Sequence, residues 1–137
     1  MSASAELQDL IVATLKADPA VAAIVAGRVY DIAPPQNARA FPDITLGPND
    51  YVPEDMDCII GREETFQIDC WTEEHGRLRA CRALVDAVKD ALHLPDLSLS
   101  ENALVLMRVE LARVIRDPDG IKAHGIVQVT ASIEEAG

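Results

Sequence analysis

Cys58, Cys70 and Cys81, with His75, His93 and His124, are the side chains with the widest chemistry open to them. Cys70, His75 and Cys81 stand in C-x4-H-x5-C spacing. Structural zinc sites join tight ligand pairs across a short turn, and neither CxxC nor HxxxH occurs here. A nucleophilic thiol needs a neighbouring base and partial exposure, and no local signature ties a histidine to a cysteine. Cys70 and Cys81 fall instead on apolar faces, where a free thiol packs as a small hydrophobe. Carboxylates gather at Asp50, Glu54, Asp55 and Asp57, without the alternating ligands and central glycine of a calcium loop. That segment reads as a solvated or partner-contacting loop. Asp117 and Asp119 resemble a catalytic acid pair, but Asp117-Pro118-Asp119-Gly120 is turn chemistry, and there they serve conformation. No GxGxxG or GxxxxGK[ST] loop is present for a nucleotide. The residues therefore point to no cofactor, no metal and no catalytic centre.

The elements that would position these groups belong to one domain, residues 1–137, long enough to bury about 70% of its unfolded surface. Hydrophobic residues are 49% and charged residues 26%, the balance of a folded protein and not of a disordered one. Twelve Lys and Arg against 23 Asp and Glu leave a net charge of −11. Wrapping DNA requires cations to neutralise phosphates, so nonspecific nucleic-acid binding is excluded, as is attraction to anionic lipid. The start, MSASAELQDL, lacks the basic and apolar regions of a signal peptide, and no run reaches the roughly 20 apolar residues of a membrane span. An odd set of cysteines without framework spacing fits a reducing cytoplasm.

Periodicity supplies the elements. Leu7, Leu10, Ile11 and Leu15 make a helix over residues 3–17, capped by Ser2 or Ser4 and ended at Asp18-Pro19. Pro19 opens a short second helix to residue 25, stopped by Gly27. Residues 28–32 read as a strand, residues 33–41 with Pro34-Pro35 as an irregular loop, and residues 44–46 as a strand ending at Gly47-Pro48. Residues 49–60 are the least patterned. In the strand over residues 63–71, Phe66, Ile68 and Cys70 face one way and Thr65, Gln67 and Asp69 the other. A helix over residues 77–92 carries the stripe Leu78, Cys81, Leu84, Val85, Val88 and Leu92. Finally comes a long hairpin: Val105, Met107, Val109 and Leu111 share one face, and Val127, Val129, Ala131 and Ile133 line the returning strand. The fold class expected is α+β, a mostly antiparallel sheet with a long C-terminal hairpin, packed against the N-terminal helix and one central amphipathic helix.

In order, ADPAVAAIVAGRVYD (residues 17–31), FPDITLG (41–47), ETFQIDCWTEEHG (64–76), the helix over 77–92, RDPDG (116–120) and HGIVQV (124–129) resemble the tail-completion, or tail-terminator, family of long-tailed phages and gene transfer agents. The resemblance covers nearly the whole chain. It implies a structural protein, not an enzyme, that forms a ring, commonly a hexamer, at the head-proximal end of the tail tube. Its implied partners are copies of itself, the major tail-tube protein and a head-completion or connector protein, with DNA only passing through the bore. It implies assembly in the bacterial cytoplasm and residence at the head–tail junction of a phage-like particle. The family carries no catalytic residue to these positions. From their poor patterning, Pro34, Pro35, Asp50, Tyr51, Glu54, Asp55 and Asp57 are the expected partner-binding residues, ordering on assembly. The acidity suggests a bore that repels passing DNA. A head-side connector or stopper is the alternative within the assembly class. From a different class, the alternative is a small thiol- or metal-dependent enzyme using Cys70, Cys81 and His75.

Overall fold

The structure, a computed structural model, describes residues 2–136. Helix α1, Ala3–Ala17, starts where the Ser2 hydroxyl accepts from the Ala5 amide at 3.3 Å. Asp18 serves two helices: its amide closes α1 on the Thr14 carbonyl, and its carboxylate accepts from Val21 N–H at 3.0 Å to open α2, Pro19–Val25. Two successive positive φ angles, at Ala26 and Gly27, then turn the chain into the sheet. The strands are β1 (Val29–Tyr30), β2 (Asp43–Pro53), β3 (Gly61–Glu73), β4 (Ala103–Arg116) and β5 (Lys122–Glu134), with helix α3 (Arg79–Leu92) between β3 and β4. Their order is β1-β2-β3-β5-β4, antiparallel except for the short β1–β2 pairing. The α+β expectation holds.

Helix α3 packs on β3, β4 and β5, and α1 packs on α2, α3 and β1. Between them lie Leu7, Ile11 and Leu15 from α1, Leu84, Val85 and Val88 from α3, and Phe66, Ile68, Cys70, Val127, Val129, Ala131 and Ile133 from the sheet. The alternation read in β3 and β5 is therefore the alternation between core and outer face. No helix among the described residues is long and apolar enough to cross a membrane.

Several elements differ from expectation; β3 runs over Gly61–Glu73 where residues 63–71 read as strand. β1 has two residues where residues 28–32 read as strand. β2 does not stop at Gly47-Pro48; its register with β3 slips between Leu46 and Asn49, and it runs on to Pro53. A bulge is where a strand tolerates a proline without an N–H, and Gly47 lets β2 lie close to β3, since a Cβ there would stand 2.8 Å from Asp69 Oδ2 and 3.2 Å from the Gln67 carbonyl oxygen. α3 begins at Arg79, not residue 77, since His75 and Gly76 take positive φ and Arg77 N–H is used in a turn on the Glu74 carbonyl. In β4, register shifts at Leu104/Leu106 and Val109/Leu111 break the expected face. Met107 is buried and Val109 half-buried, whereas Val105 and Leu111 are exposed.

Candidate functional site

The C-x4-H-x5-C residues do not converge on a site. Cys70 and Cys81 are buried, with the Cys81 thiol 3.8 Å from the Cys70 carbonyl, and burial pushes both thiols above their ordinary range. His75 is exposed in the β3–α3 turn. Among the described residues, no three His, Cys, Asp or Glu side chains are arranged to hold a metal ion.

The sheet face away from the helices carries a polar brace. His124 Nε2 lies 2.7 Å from Asp69 Oδ1, and the imidazole stacks on Trp71 at 3.9 Å between centroids and 8° between planes. Trp71 Nε1–H donates to Thr45 Oγ1 at 3.2 Å, and Gln67 Nε2–H donates to Asp69 at 2.9 Å. Arg39 forks onto Asp43 at 2.7 and 2.9 Å, with its guanidinium over the Phe41 and Trp71 rings. An Asp–His pair is the orienting half of a catalytic triad. Here no hydrogen bond joins His124 to a hydroxyl or thiol among the described residues; the pair ties β3 to β5, and Trp71 ties β3 to β2. These partners are up to 55 residues apart in sequence, which local periodicity does not reveal.

At one end of the sheet β2 and β3 join through the turn 54–60, which with the last residues of β2 forms a short arm, while β3 itself stays paired with β5 along its whole length. Its base is polar: Arg62 lies over the Tyr51 ring at 3.7 Å, donates to Ser4 Oγ at 3.1 Å and to Glu64 Oε1 at 3.3 Å, and pairs with Glu135. Asn49 Nδ2–H donates to buried Glu64 at 2.7 Å. The tip, residues 54–60, closes through Glu54 N–H to the Gly61 carbonyl and a Met56–Ile59 bridge, with Asp55 Oδ1 accepting from Gly61 N–H at 3.2 Å. A Cβ at Gly61 would stand 2.8 Å from the Glu54 carbonyl oxygen, so that closure requires glycine. Val52 is 64% exposed and Met56 73%, flanked by exposed Asp50, Glu54 and Asp57, whose carboxylates have no hydrogen bond or ion pair among the described residues. Apolar side chains are thus left in water beside carboxylates that nothing neutralises.

The structure thus brings Asp50, Tyr51, Glu54, Asp55 and Asp57 together on one arm, the first two within strand β2. Pro34 and Pro35 stay apart, in the β1–β2 connection, where Pro35 precedes a 3-10 turn over Gln36–Ala38. No hydrogen bond, ion pair or ring contact among the described residues joins them to the arm.

The β4 edge went unread in the sequence. At its middle, the Met107 carbonyl accepts from Leu94 N–H at 2.9 Å, and Val109 N–H donates to His93 Nδ1 at 3.1 Å. Further along, Leu111, Arg113 and Ile115 are exposed.

Comparison with known proteins bears on these surfaces. The family model for tail completion protein gp17 matches residues 9–134. The chain belongs to that family. It is a structural tail protein, and the expected resemblance is thereby shown. No curated protein matches the chain. Among solved structures, a chain from the virion of a native gene transfer agent particle is similar at 28% identity and TM-score 0.88, over 97% of this chain and 98% of that one.

Proposed function

We propose that this tail-completion protein forms a ring, of six copies, that caps the tail tube of a phage-like particle. The ring stops tube growth and presents its other face to the head connector, and DNA passes through its bore. The observation that carries this is the family match over residues 9–134 together with likeness, along almost the full chain, to a component of a gene transfer agent virion. Assembly takes place in the bacterial cytoplasm, and the finished ring sits at the head–tail junction. Exposed Asp50, Tyr51, Glu54, Asp55 and Asp57 supply assembly contacts, with Pro34 and Pro35 on a second loop. The net charge of −11 supports a bore lined with carboxylates, which repels DNA and leaves the conduit non-adhesive.

Native mass and negative-stain images, with and without the tail-tube protein, test the proposal. Closed rings, or rings at tube ends, are expected; a monomer indifferent to tube protein would favour a head-side connector. Reversing the arm's charge with Glu54→Lys and Asp57→Lys is expected to abolish capping. Because both side chains are exposed and unpartnered, stability should change by no more than about 0.5 kcal/mol. Capping undiminished in that variant would remove the arm from the contact.

A further inference from the structure

One sheet edge is blunted and the other is left half open. At the first, β1 is two residues long, and β2 carries Pro48, Pro53 and a bulge. Short edge strands, prolines and bulges are the usual protection against unwanted pairing. At the other edge, His93 and Leu94 cover the Val109 N–H and Met107 C=O. Past that point, residues 111–116 (LARVIR) contain no proline, glycine or lysine. Their backbone makes no hydrogen bond on the side away from β5 among the described residues.

The side chains at this open stretch have a distinctive character for so acidic a chain. Leu111, Ile115 and neighbouring Ile121 are exposed, and Arg113 between them has no ion pair or hydrogen-bond partner among the described residues. β4 as a whole holds Arg108, Arg113 and Arg116 against a single carboxylate, Glu110. Two copies at −11 each repel over most of their surfaces. Attraction requires this basic, apolar stripe to meet a surface that is apolar and acidic. The β2–β3 arm is that surface, with Val52, Met56 and Ile60 exposed beside unpaired Asp50, Glu54 and Asp57.

The two surfaces also lie at opposite corners of the sheet. The arm's tip leaves the end where Gly61 pairs with Glu134 and Glu134 with Ala103. The open stretch runs toward the far end, where Arg116 pairs with Ala123 and Lys122 with Glu73. Two different complementary patches at opposite corners of the sheet can join copies head to tail, the heterologous contact that builds a ring where its rotation closes.

We propose that the acidic tip of the β2–β3 arm of one copy docks on the open half of β4, residues 111–116, of a second copy. This rests on the ring reading and names the contact that builds it. The apolar side chains supply the buried centre, Arg113 meets arm carboxylates, and the tip covers the free backbone groups of residues 111–116.

A native thiol makes the contact testable. Cys58 sits exposed in the tip, while Cys70 and Cys81 are buried. In assembled protein, mild oxidation of the Leu111→Cys variant should give a ladder of disulfide-linked multimers. The ladder should be absent from wild type, from Leu111→Cys combined with Cys58→Ser, and from Ala13→Cys, which places a thiol on the exposed face of α1. Native mass of each sample is read before oxidation. Rings without the ladder would leave the ring reading standing and overturn this contact. Monomers even with tube protein present would overturn both. Cross-linking of the introduced thiol to tube protein would hand the edge to that partner and also overturn the contact. Arg113→Glu is the companion variant: its melting temperature should match wild type, and the concentration needed for assembly should rise by about tenfold.

Discussion

Gly125→Ala is expected to lower the melting temperature by roughly 5–15 °C, and Gly125→Val to prevent folding. Gly125 lies on β5 where α3 crosses the sheet. A Cβ built there would stand 2.3 Å from Val85 Cγ2 and 3.1 Å from both Cys70 Cβ and Cys81 Sγ. All three neighbours are in the core. A valine in a helix has one strongly preferred rotamer, so Val85 cannot swing aside, and the helix itself must lift from the sheet. Overpacking of this kind costs about 1–3 kcal/mol for one added methyl. The second substitution that identifies the cause is Val85→Ala. If the clash is the mechanism, Val85→Ala partly rescues Gly125→Ala, although alone it destabilises by removing buried methyl groups. Strictly additive losses in thermal melts would show that glycine serves some other purpose at this position.

The same helix–sheet contact marks where sequence is informative. Phe66, Ile68 and Cys70 in β3, and Cys81, Leu84, Val85 and Val88 in α3, announce their faces because strand and helix periods are local properties of the chain. The hairpin turn is equally local: Asp119 accepts from Ile121 and Lys122 N–H at 2.8 and 3.0 Å. What sequence hides are the places where one residue is added to a strand. The bulge after Leu46 makes Gly47-Pro48 look like an end, and the two shifts in β4 return Leu111 to the outer face. Each insertion flips every later side chain, so a period read through it assigns wrong faces.

The candidate site divides along the same line. Asp50, Glu54, Asp55 and Asp57 were visible because carboxylates without an apolar period seldom belong to a core. Arg113 and the open edge were not, because edge or interior position depends on strand order. β5 lies between β3 and β4, and that order is set by long-range pairing. His93, which covers part of the edge from a position 16 residues before Val109, carries no local mark of that task.

Glu6 is the other residue whose environment lies far away in sequence, and its removal is expected to have the second large effect. In the first turn of α1 it looks like a charge complementing the helix dipole. It is instead only 5% exposed. Ser100 Oγ–H and Glu101 N–H donate to Oε2 at 2.7 and 2.8 Å, and Asn102 N–H and Nδ2–H donate to Oε1 at 3.1 and 3.0 Å. One carboxylate thus pins the α3–β4 connection to α1. Burial alone would raise its pKa; the hydrogen bonds from Ser100, Asn102 and Glu101 outweigh burial and bring it from 4.5 to about 2. A carboxyl depressed by folding stabilises fully above its unfolded value, and the contribution disappears as pH falls through the folded one. The window is therefore pH 4.5 down to about 2. Glu6→Gln keeps one acceptor oxygen but replaces the other with a donor facing donors, and Glu6→Ala leaves four donors without an acceptor, the costlier condition for buried groups. Melting curves from pH 6 to 2 should place Glu6→Ala lowest at pH 6, Glu6→Gln between, and wild type highest. Wild type should then converge on Glu6→Gln toward pH 2, because protonation removes the charge that distinguishes them. Curves that stay parallel across the window would mean that the carboxylate's charge contributes nothing to holding α1 against the β4 connection.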